Sequence, residues 1–347
     1  MMNKLPIALC SVLAASMVHA AEPRHVVFSH FDWELVCDNT GTCRAAGYQP
    51  EDQDDQHHYD GVTVLLTRAA GPNTPVEAEL QVASADEAPA RVAMRIDGKP
   101  LGDVSLNKAG GKLNIAQTSA LLAAVRKDSD IQWTSGKQRW VLSSTGASAV
   151  LLKMDEFQGR IGTPGALVRK GTKAEAAVPM PTPVPVLKAA RVTGNDIDQG
   201  LLSKKQRRGL LAELRRTLVD KDGLLCPDFD ENAQDPNKPD LRRLSRQQLL
   251  VSLTCWTAAY NSADAYWVVN ATPPYSPVLV TTNGNEYASG VITAYQRGRG
   301  LGDCTNTGSW TWDGSRFQHT ESAISELCKG FPGGAWRMPS LTVKVIR

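Results

Sequence analysis

The chain has 347 residues, of which 42% are hydrophobic and 21% are charged, so its length and composition predict two globular domains. Its 38 basic and 36 acidic residues leave a formal net charge of +2 at pH 7. A chain this close to neutral lacks the broad basic surface that binds phosphates, which argues against nucleic acid as a partner.

The N-terminus has the pattern of a secretory signal peptide over residues 1–20. Lys4 supplies the positive charge, residues 5–18 form a short apolar run, and Val18 and Ala20 occupy the two positions that signal peptidase reads. The run is too short for a bilayer span, which needs about 20 apolar residues. We therefore expect cleavage after Ala20 and a periplasmic protein that is not transmembrane. An uncleaved anchor helix is the alternative.

Six cysteines remain after removal of the signal peptide, and an even number in an exported chain predicts disulfides. No CxxC spacing occurs, which argues against a zinc site. A proline-rich segment at residues 178–187 separates the first two cysteines from the other four, so we expect pairing within each part. The expected bridges are Cys37–Cys43, Cys226–Cys255 and Cys304–Cys328.

Strand patterns dominate the first predicted domain, residues 25–172. Alternating or β-rich runs occur at residues 31–37, 61–68, 77–83, 91–96 and 102–106. Asp97-Gly98 predicts a tight turn between the last two runs. Ser135-Gly136-Lys137, between Trp133 and Trp140, predicts a hairpin with aromatic flanks.

Three helices are predicted, each beginning after a side chain that can cap its first turn. They cover residues 119–127 after Thr118, residues 149–158 after Ser148, and residues 204–219 after Ser203. In the third helix, leucines recur at helical spacing and form one apolar stripe.

The composition changes over residues 173–190, where proline stands at positions 179, 181, 183 and 185. Proline fixes φ and donates no backbone hydrogen bond, so this stretch predicts an extended, semi-rigid linker. An edge segment lying along one domain is the alternative, and both interpretations place the boundary here. The expected fold class is mainly β with a few helices (α+β), arranged as two β-rich domains.

The second predicted domain, residues 191–347, has strand patterns near residues 247–256, 265–270, 277–282 and 290–295. Its clearest local signal is Asp313-Gly314, which predicts a two-residue type I′ hairpin turn. That register places Trp310 opposite Phe317 as a cross-strand aromatic pair.

Three motifs together resemble the bacterial family called domain of unknown function 1176. They are the segment 155–168 with its D-E-F-Q-G-R-I-G start, Cys255-Trp256 followed by residues 259–261, and the R-G-L-G-D-C segment 299–304 followed by W-T-W-D-G. The resemblance spans nearly the whole mature chain. It implies an exported, envelope-located protein, and it implies no activity because the family has no established one.

The sequence contains no motif from which a catalytic residue, a metal ligand or a cofactor is predicted. Ser105 and Lys108 match the S-x-x-K pattern, but the partner motifs of that enzyme class are missing. Residues 51–60 collect carboxylates and two histidines that can bind a divalent cation. Their spacing follows no ligand rule, so a solvated acidic loop is the favoured interpretation.

The preferred candidate for ligand binding is the glycine-rich segment 298–302 with its neighbours. We call Arg297, Arg299, Asp303, Trp310 and Trp312 the candidate binding loop. The sequence favours a non-enzymatic periplasmic module that binds an envelope protein or polymer through these residues.

Two alternatives remain open at the level of sequence. One is a cell-wall hydrolase whose carboxylates meet only in space, with Asp303, Asp313 and Glu321 as the first candidates. The other is a structural envelope protein without a discrete site.

Overall fold

A computed structural model describes residues 24–51, 61–83, 89–220, 223–229 and 239–347 of the chain. The predicted signal peptide and residues 52–60 of the acidic, histidine-containing segment lie outside the described residues. The described residues form mostly antiparallel sheets with three α-helices, which confirms the mainly β fold class. No helix within these ranges is long and apolar enough to cross a membrane.

The first half of the described chain contains two antiparallel sheets. One consists of β1 (Val26–His30), β2 (Trp33–Cys37), β3 (Cys43–Tyr48), β4 (Val62–Arg68), β5 (Val76–Val82) and β8 (Gly111–Lys112). The other consists of β6 (Arg91–Ile96), β7 (Lys99–Ser105), β9 (Ile131–Ser135) and β10 (Gln138–Leu142). Neighbouring strands pair in the orders β1-β2-β3-β4-β5-β8 and β10-β9-β6-β7. The core between them includes the fully buried Trp33, Trp133 and Trp140.

Both predicted tight connections in this half are confirmed. Asp97 and Gly98 take positive φ values of 50° and 74° between β6 and β7. Trp133 lies directly opposite Trp140 across the β9–β10 hairpin. In each case the signal is local, because two adjacent turn residues determine how the flanking strands meet.

Helix α1 (Ile115–Ala124) begins earlier than predicted, and Thr118 is not its cap. The cap is Asn114, whose side chain accepts a hydrogen bond from the Gln117 backbone N–H at 2.9 Å. The Gln117 side chain in turn accepts from the Asn114 backbone N–H at 3.0 Å, which completes a capping box. Thr118 is buried within the helix.

Helix α2 (Ala147–Phe157) also begins earlier than predicted, and its cap is Gly146 rather than Ser148. Gly146 has φ +96°, and a Cβ at this position would lie 1.9 Å from the carbonyl oxygen of His30. The tight approach of the β1–β2 turn therefore requires glycine here.

The proline-rich segment contacts the first half of the molecule. The Thr182 N–H donates to the Thr40 carbonyl oxygen at 3.1 Å, and Val178 is buried. A short 3-10 helix, Glu175–Ala177, precedes it, and β11 (Val186–Lys188) follows. The division into two domains joined by this segment stays a prediction.

The second half contains two larger antiparallel sheets that share a core. The first, paired in chain order, consists of β14 (Asp240–Arg243), β15 (Gln248–Thr257), β16 (Ser262–Asn270) and β17 (Val278–Gly284). The second, also in chain order, consists of β18 (Glu286–Ala288), β19 (Val291–Arg297), β20 (Thr305–Trp312), β21 (Phe317–Ser325) and β22 (Pro339–Thr342). Tyr266 and Val268 from the first sheet pack with Ile292, Trp312 and Phe317 from the second.

Helix α3 (Lys204–Arg216) covers the outer face of the first of these sheets. Ser203 caps it, as predicted, and forms a capping box with Gln206. The buried Leu210 and Leu214 belong to the core shared with β15 and β16. Smaller elements nearby are the 3-10 helix Gln199–Leu201, the pair β12 (Val219–Asp220) and β13 (Gly223–Leu224), and β23 (Lys344–Ile346), which pairs in parallel with β11.

The hairpin between β20 and β21 has a longer turn than predicted. Trp312 lies opposite Phe317, so residues 313–316 form the connection. The predicted pairing of Trp310 with Phe317 is therefore wrong, and Trp310 lies opposite His319 instead.

The physical reason is the Asp313 side chain, which organises a four-residue turn. Its Oδ1 accepts from the backbone N–H groups of Ser315 and Arg316, each at 2.8 Å. Its Oδ2 accepts from the Gln318 side chain at 2.8 Å. A type I′ turn needs positive φ at both central residues, but only Gly314 has it here.

The C-terminal part of the chain packs back onto the first sheet. Phe331 and Met338 share a buried cluster with Val36 and Tyr48. Beside this cluster, Glu34 on β2 accepts hydrogen bonds from Ser325 and from the segment that follows β21.

Three disulfides are present: Cys37–Cys43, Cys226–Cys255 and Cys304–Cys328. These are the pairs expected from the sequence. The first joins the facing ends of β2 and β3, and the third ties the segment before β20 to the segment after β21.

Candidate functional site

The arginine and the aspartate of the candidate binding loop are bound to each other. The Arg299 guanidinium donates to both carboxylate oxygens of Asp303, with Nε at 2.8 Å from Oδ1. The same carboxylate accepts from the Gly330 N–H at 2.6 Å, and Arg299 also donates to the Cys328 carbonyl oxygen. Burial acts to raise the pKa of Asp303, but the Arg299 guanidinium and the Gly330 N–H outweigh it and lower that pKa. The pair therefore shapes the loop beside the Cys304–Cys328 disulfide.

The backbone of Arg297 is hydrogen-bonded to the Asn261 side chain, so this residue does not lie on a free loop. Its N–H donates to Asn261 Oδ1 at 2.9 Å, and its carbonyl oxygen accepts from Asn261 Nδ2 at 2.7 Å. Its side chain donates to the Tyr260 carbonyl oxygen. The Ala259 to Asn261 motif of the sequence thus anchors the end of β19.

The structure does not bring the whole candidate binding loop together. Arg297, Arg299 and Asp303 lie near the start of β20, whereas Trp310 and Trp312 lie at its end. The strand has eight residues, so its ends are about 25 Å apart. Trp312 is buried in the core against Phe317. Trp310, by contrast, lines an open cavity.

The three carboxylates considered for hydrolysis are likewise separated and engaged elsewhere. Asp303 binds Arg299 at one end of β20, and Asp313 organises the turn at the other end. Glu321 pairs with Arg337 and lies opposite Ser309, near the middle of the strand pair. This arrangement does not give the paired carboxylates that glycoside hydrolysis requires.

A cleft of about 330 Å³ opens where the two sheets of the second half meet, beside the turn 313–316. We call it the Trp310 cleft. Its apolar wall consists of Val268, Val269, Val278, Leu279, Val280 and Phe317. Its polar lining consists of Gln248, Asn270, Ser276, Ser315, Arg316 and His319.

Trp310 lines this cleft and is stacked on His319. The two ring centroids are 4.8 Å apart and the rings are inclined by 13°. Partial desolvation lowers the pKa of His319, which disfavours a charged imidazole in the cleft. The indole is half-buried, so the stacked imidazole and the core hold it in one orientation while part of it faces the cavity.

The amide side chains of the lining are oriented by hydrogen bonds. Asn270 Nδ2 donates to the Pro274 carbonyl oxygen at 2.8 Å, on a loop that contains the cis Pro273–Pro274 peptide bond. Gln248 Nε2 donates to the Ser315 carbonyl oxygen at 3.3 Å. Each amide keeps its carbonyl oxygen as an acceptor, so oriented polar groups line the cleft together with Trp310.

Sequence reasoning found Trp310 but missed the residues around it. Gln248, Asn270 and His319 come from three different strands and have no shared motif or spacing. One weak indication was present in the sequence. The predicted hairpin at Asp313-Gly314 had the wrong register, but it placed aromatic side chains near the cleft.

One group of potential metal ligands occurs within the described ranges. Ligand atoms of Asp303, Cys304 and Cys328 lie within 4.8 Å of one another. The two sulfur atoms are bonded to each other in a disulfide, so neither is a thiolate that can bind a metal.

Comparison with known proteins matches residues 27–343 to the model of a protein family of unknown function, DUF1176. The chain belongs to the DUF1176 family. A curated relative from Escherichia coli strain K12, the uncharacterized protein YpfG, is 27% identical over 361 residues, which cover 94% of this chain and 95% of the relative. No solved structure matches the chain.

The first DUF1176 motif has a structural role here. Arg160 is fully buried, and its guanidinium donates to Gln158, to Glu175 and to the carbonyl oxygen of Gly71. It thereby ties the segment after α2 to the β4–β5 connection. Asp155 accepts from two backbone N–H groups of the same segment.

Proposed function

We propose that this DUF1176 protein is exported to the periplasm and binds a glycan segment of the cell envelope in the Trp310 cleft, without catalysing a reaction on it. The observation that carries the proposal is the composition of the cleft. It combines a partly exposed tryptophan with amide and hydroxyl side chains in one lining.

Two features support export. The N-terminus has the charge and hydrophobicity pattern of a signal peptide. Three disulfides occupy all six cysteines that follow it, and such bridges persist in oxidising compartments.

A sugar ring suits this cleft for physical reasons. One face of a pyranose is largely C–H and packs on an indole, as apolar groups do on other aromatic side chains. Its hydroxyl groups both donate and accept, so they match the oriented acceptors of Asn270 and Gln248 and the hydroxyl of Ser276. The volume of about 330 Å³ lies at the lower end of the range of about 300–1,000 Å³ that is usual for small-molecule sites.

The lining also supports binding rather than hydrolysis. None of its described residues is an aspartate or glutamate, whereas the usual glycoside hydrolysis uses a pair of carboxyl groups at the bond that breaks. The titratable side chains in the lining are His319 and, at the rim, Arg316. Neither can serve as the second member of a carboxylate pair.

The test is calorimetric titration of the mature protein with soluble oligosaccharides released from purified peptidoglycan. We expect Trp310→Ala to weaken binding at least tenfold, which corresponds to about 1.4 kcal/mol, and Trp310→Phe to retain most of it. Trp256→Ala is the matched control, because Trp256 is a half-buried tryptophan at the far end of β15.

Equal affinity of the wild type and Trp310→Ala would refute the cleft as the binding site. Undetectable binding by the wild type would refute this ligand class. Export is tested separately by cell fractionation and N-terminal sequencing, for which we expect mature protein beginning at Ala21.

A further inference from the structure

A second cavity, of about 650 Å³, lies between the segment after β11 and the β18–β19 turn. We call it the basic groove. Its charged lining residues are Lys188, Arg191 and Arg347, all exposed, and Asn195 and Ser289 also line it. It differs from the Trp310 cleft, since the successive residues Trp310 and Thr311 line different cavities.

The fold holds these three cations beside one another. Lys188 pairs with Ile346 in the parallel β11–β23 ladder, which places Arg347 next to Lys188. The chain then crosses to β20, where the Ala190 N–H donates to the Trp312 carbonyl oxygen at 2.9 Å. Lys188 and Arg191 therefore lie at the two ends of a backbone segment that is attached to β23 and to β20.

The side chains that line the groove in the described part of the chain include cations but no carboxylate. Among the described residues that line it there is no aspartate or glutamate, and no ion pair within the described part of the chain involves Lys188, Arg191 or Arg347. Other arginines do have carboxylate partners, such as Arg160 with Glu175. Even with a terminal carboxylate at Arg347, the lining stays positive.

We propose that the basic groove binds phosphate groups of an anionic ligand. Arginine offers a planar fork of N–H donors that fits phosphate oxygens, and lysine adds a mobile point charge. A phosphate carries up to two negative charges, so it matches a cluster of three cations better than a single carboxylate does. The amide of Asn195 and the hydroxyl of Ser289 supply neutral hydrogen bonds beside the charges.

The test uses mature protein with two probes that separate the sources of phosphate. Pyrophosphate is titrated by calorimetry, and vesicles of phosphatidylglycerol or of phosphatidylcholine are tested by co-sedimentation. We compare Lys188→Gln/Arg191→Gln with Lys204→Gln/Arg208→Gln, a control that removes two exposed charges from α3.

We expect the groove variant to bind at least tenfold more weakly and the α3 control to stay within twofold of the wild type, with affinity that falls as salt rises. Binding of pyrophosphate alone would assign a soluble phosphorylated ligand. Binding of phosphatidylglycerol vesicles as well, but not of phosphatidylcholine, would assign a lipid headgroup. The proposal is overturned if neither probe binds, or if both variants weaken binding equally, since net charge alone would then explain the effect. Because the groove is separate from the Trp310 cleft, neither result depends on glycan binding.

Discussion

At the scale of single residues, close approaches determine which side chains the chain tolerates. Gly47 on β3 lies against the indole of Trp33, and a Cβ there would be 2.3 Å from Trp33 Cζ2. Trp33 cannot move aside easily, because it is fully buried and its Nε1 donates to the Ser143 carbonyl oxygen at 2.8 Å. The core therefore has room for glycine at position 47 but not for the methyl group of alanine.

We predict that Gly47→Ala lowers the free energy of unfolding in urea by about 3 kcal/mol, because the buried indole has no space to relax. Gly209→Ala is the matched control. Gly209 lies within α3 and a Cβ at this position would have nothing within 4 Å, so alanine should stabilise by about 1 kcal/mol. A neutral Gly47→Ala would contradict the packing described for β3.

Asp313 provides a second residue-scale prediction, about pH. Burial acts to raise its pKa, but the hydrogen bonds from Gln318, Arg316 and Ser315 outweigh burial and lower the pKa to about 2. A carboxyl group with a depressed folded pKa stabilises the fold above its unfolded pKa. That stabilisation is lost as the pH falls from about 4 to about 2.

We expect Asp313→Ala to cost about 1–2 kcal/mol at pH 7, because it leaves the turn N–H groups without their acceptor. Asp313→Asn should cost less, since its amide oxygen still accepts. Urea unfolding at several pH values should show that, below pH 4, both variants differ less from the wild type in free energy of unfolding than they do at pH 7. If the free energy of unfolding of Asp313→Ala falls with pH as steeply as that of the wild type, another carboxyl group is responsible for the pH dependence.

At the scale of elements, a buried carboxylate joins β2 to the segment after β21. Glu34 Oε1 accepts from the Tyr48 hydroxyl at 2.6 Å and from the Ser325 hydroxyl at 3.0 Å. Its Oε2 accepts from the backbone N–H groups of Glu326 and Leu327. Nearby, Lys329 pairs with Asp32 at 2.7 Å, so charged contacts reinforce the apolar contacts between the two parts.

The four hydrogen-bond donors around Glu34 differ in whether they can also accept a hydrogen bond. The hydroxyl groups can turn round and accept, but the two backbone N–H groups can only donate. We therefore predict that Glu34→Gln changes the free energy of unfolding by less than about 1 kcal/mol at pH 7. Glu34→Leu should cost about 2–4 kcal/mol, because it leaves buried N–H groups without acceptors. Glu77→Gln, at an exposed site on β5, is the control.

Burial raises the pKa of Glu34, although its hydrogen bonds act in the opposite direction. The stabilisation from this group is then fully present below the unfolded pKa and is lost as the pH rises through the folded pKa. Glu34→Gln should remove that part of the pH dependence. Identical pH profiles of the two proteins would contradict the buried, perturbed carboxyl group.

At the scale of the whole molecule, the disulfides restrict the unfolded chain more than they shape the folded one. Cys226–Cys255 has a sequence separation of 29 residues, and Cys37–Cys43 one of 6. The entropy of loop closure grows with the logarithm of loop length. The long bridge should therefore matter more for global stability.

We predict that Cys226→Ala/Cys255→Ala lowers the free energy of unfolding by about 3.5 kcal/mol, and Cys37→Ala/Cys43→Ala by about 2 kcal/mol. Equilibrium urea unfolding of the oxidised variants measures both. The reverse order of the two effects would show that native packing around the sulfur atoms outweighs loop entropy.

The sequence alone determined those features that depend on residues near one another in the chain. The Ser203 cap, the Asp97-Gly98 turn, the Trp133–Trp140 hairpin and the mainly β class all follow from patterns within a few residues. The Cys37–Cys43 pair follows from the number of cysteines and from the change in composition that separates it from the other four, which can pair among themselves in three ways.

Only the tertiary structure decided the rest, because it depends on contacts between distant residues. The sequence predicted Arg299 and Asp303 as ligand-binding residues, but in the structure their side chains bind each other. The Gly330 N–H, from a distant part of the chain, also donates to the Asp303 carboxylate. The Trp310 cleft needs His319 and side chains from separate strands, and the basic groove needs the two strands β11 and β23 to pair. No local propensity specifies which strands become neighbours, so the packing of the whole chain determines which side chains share a cavity.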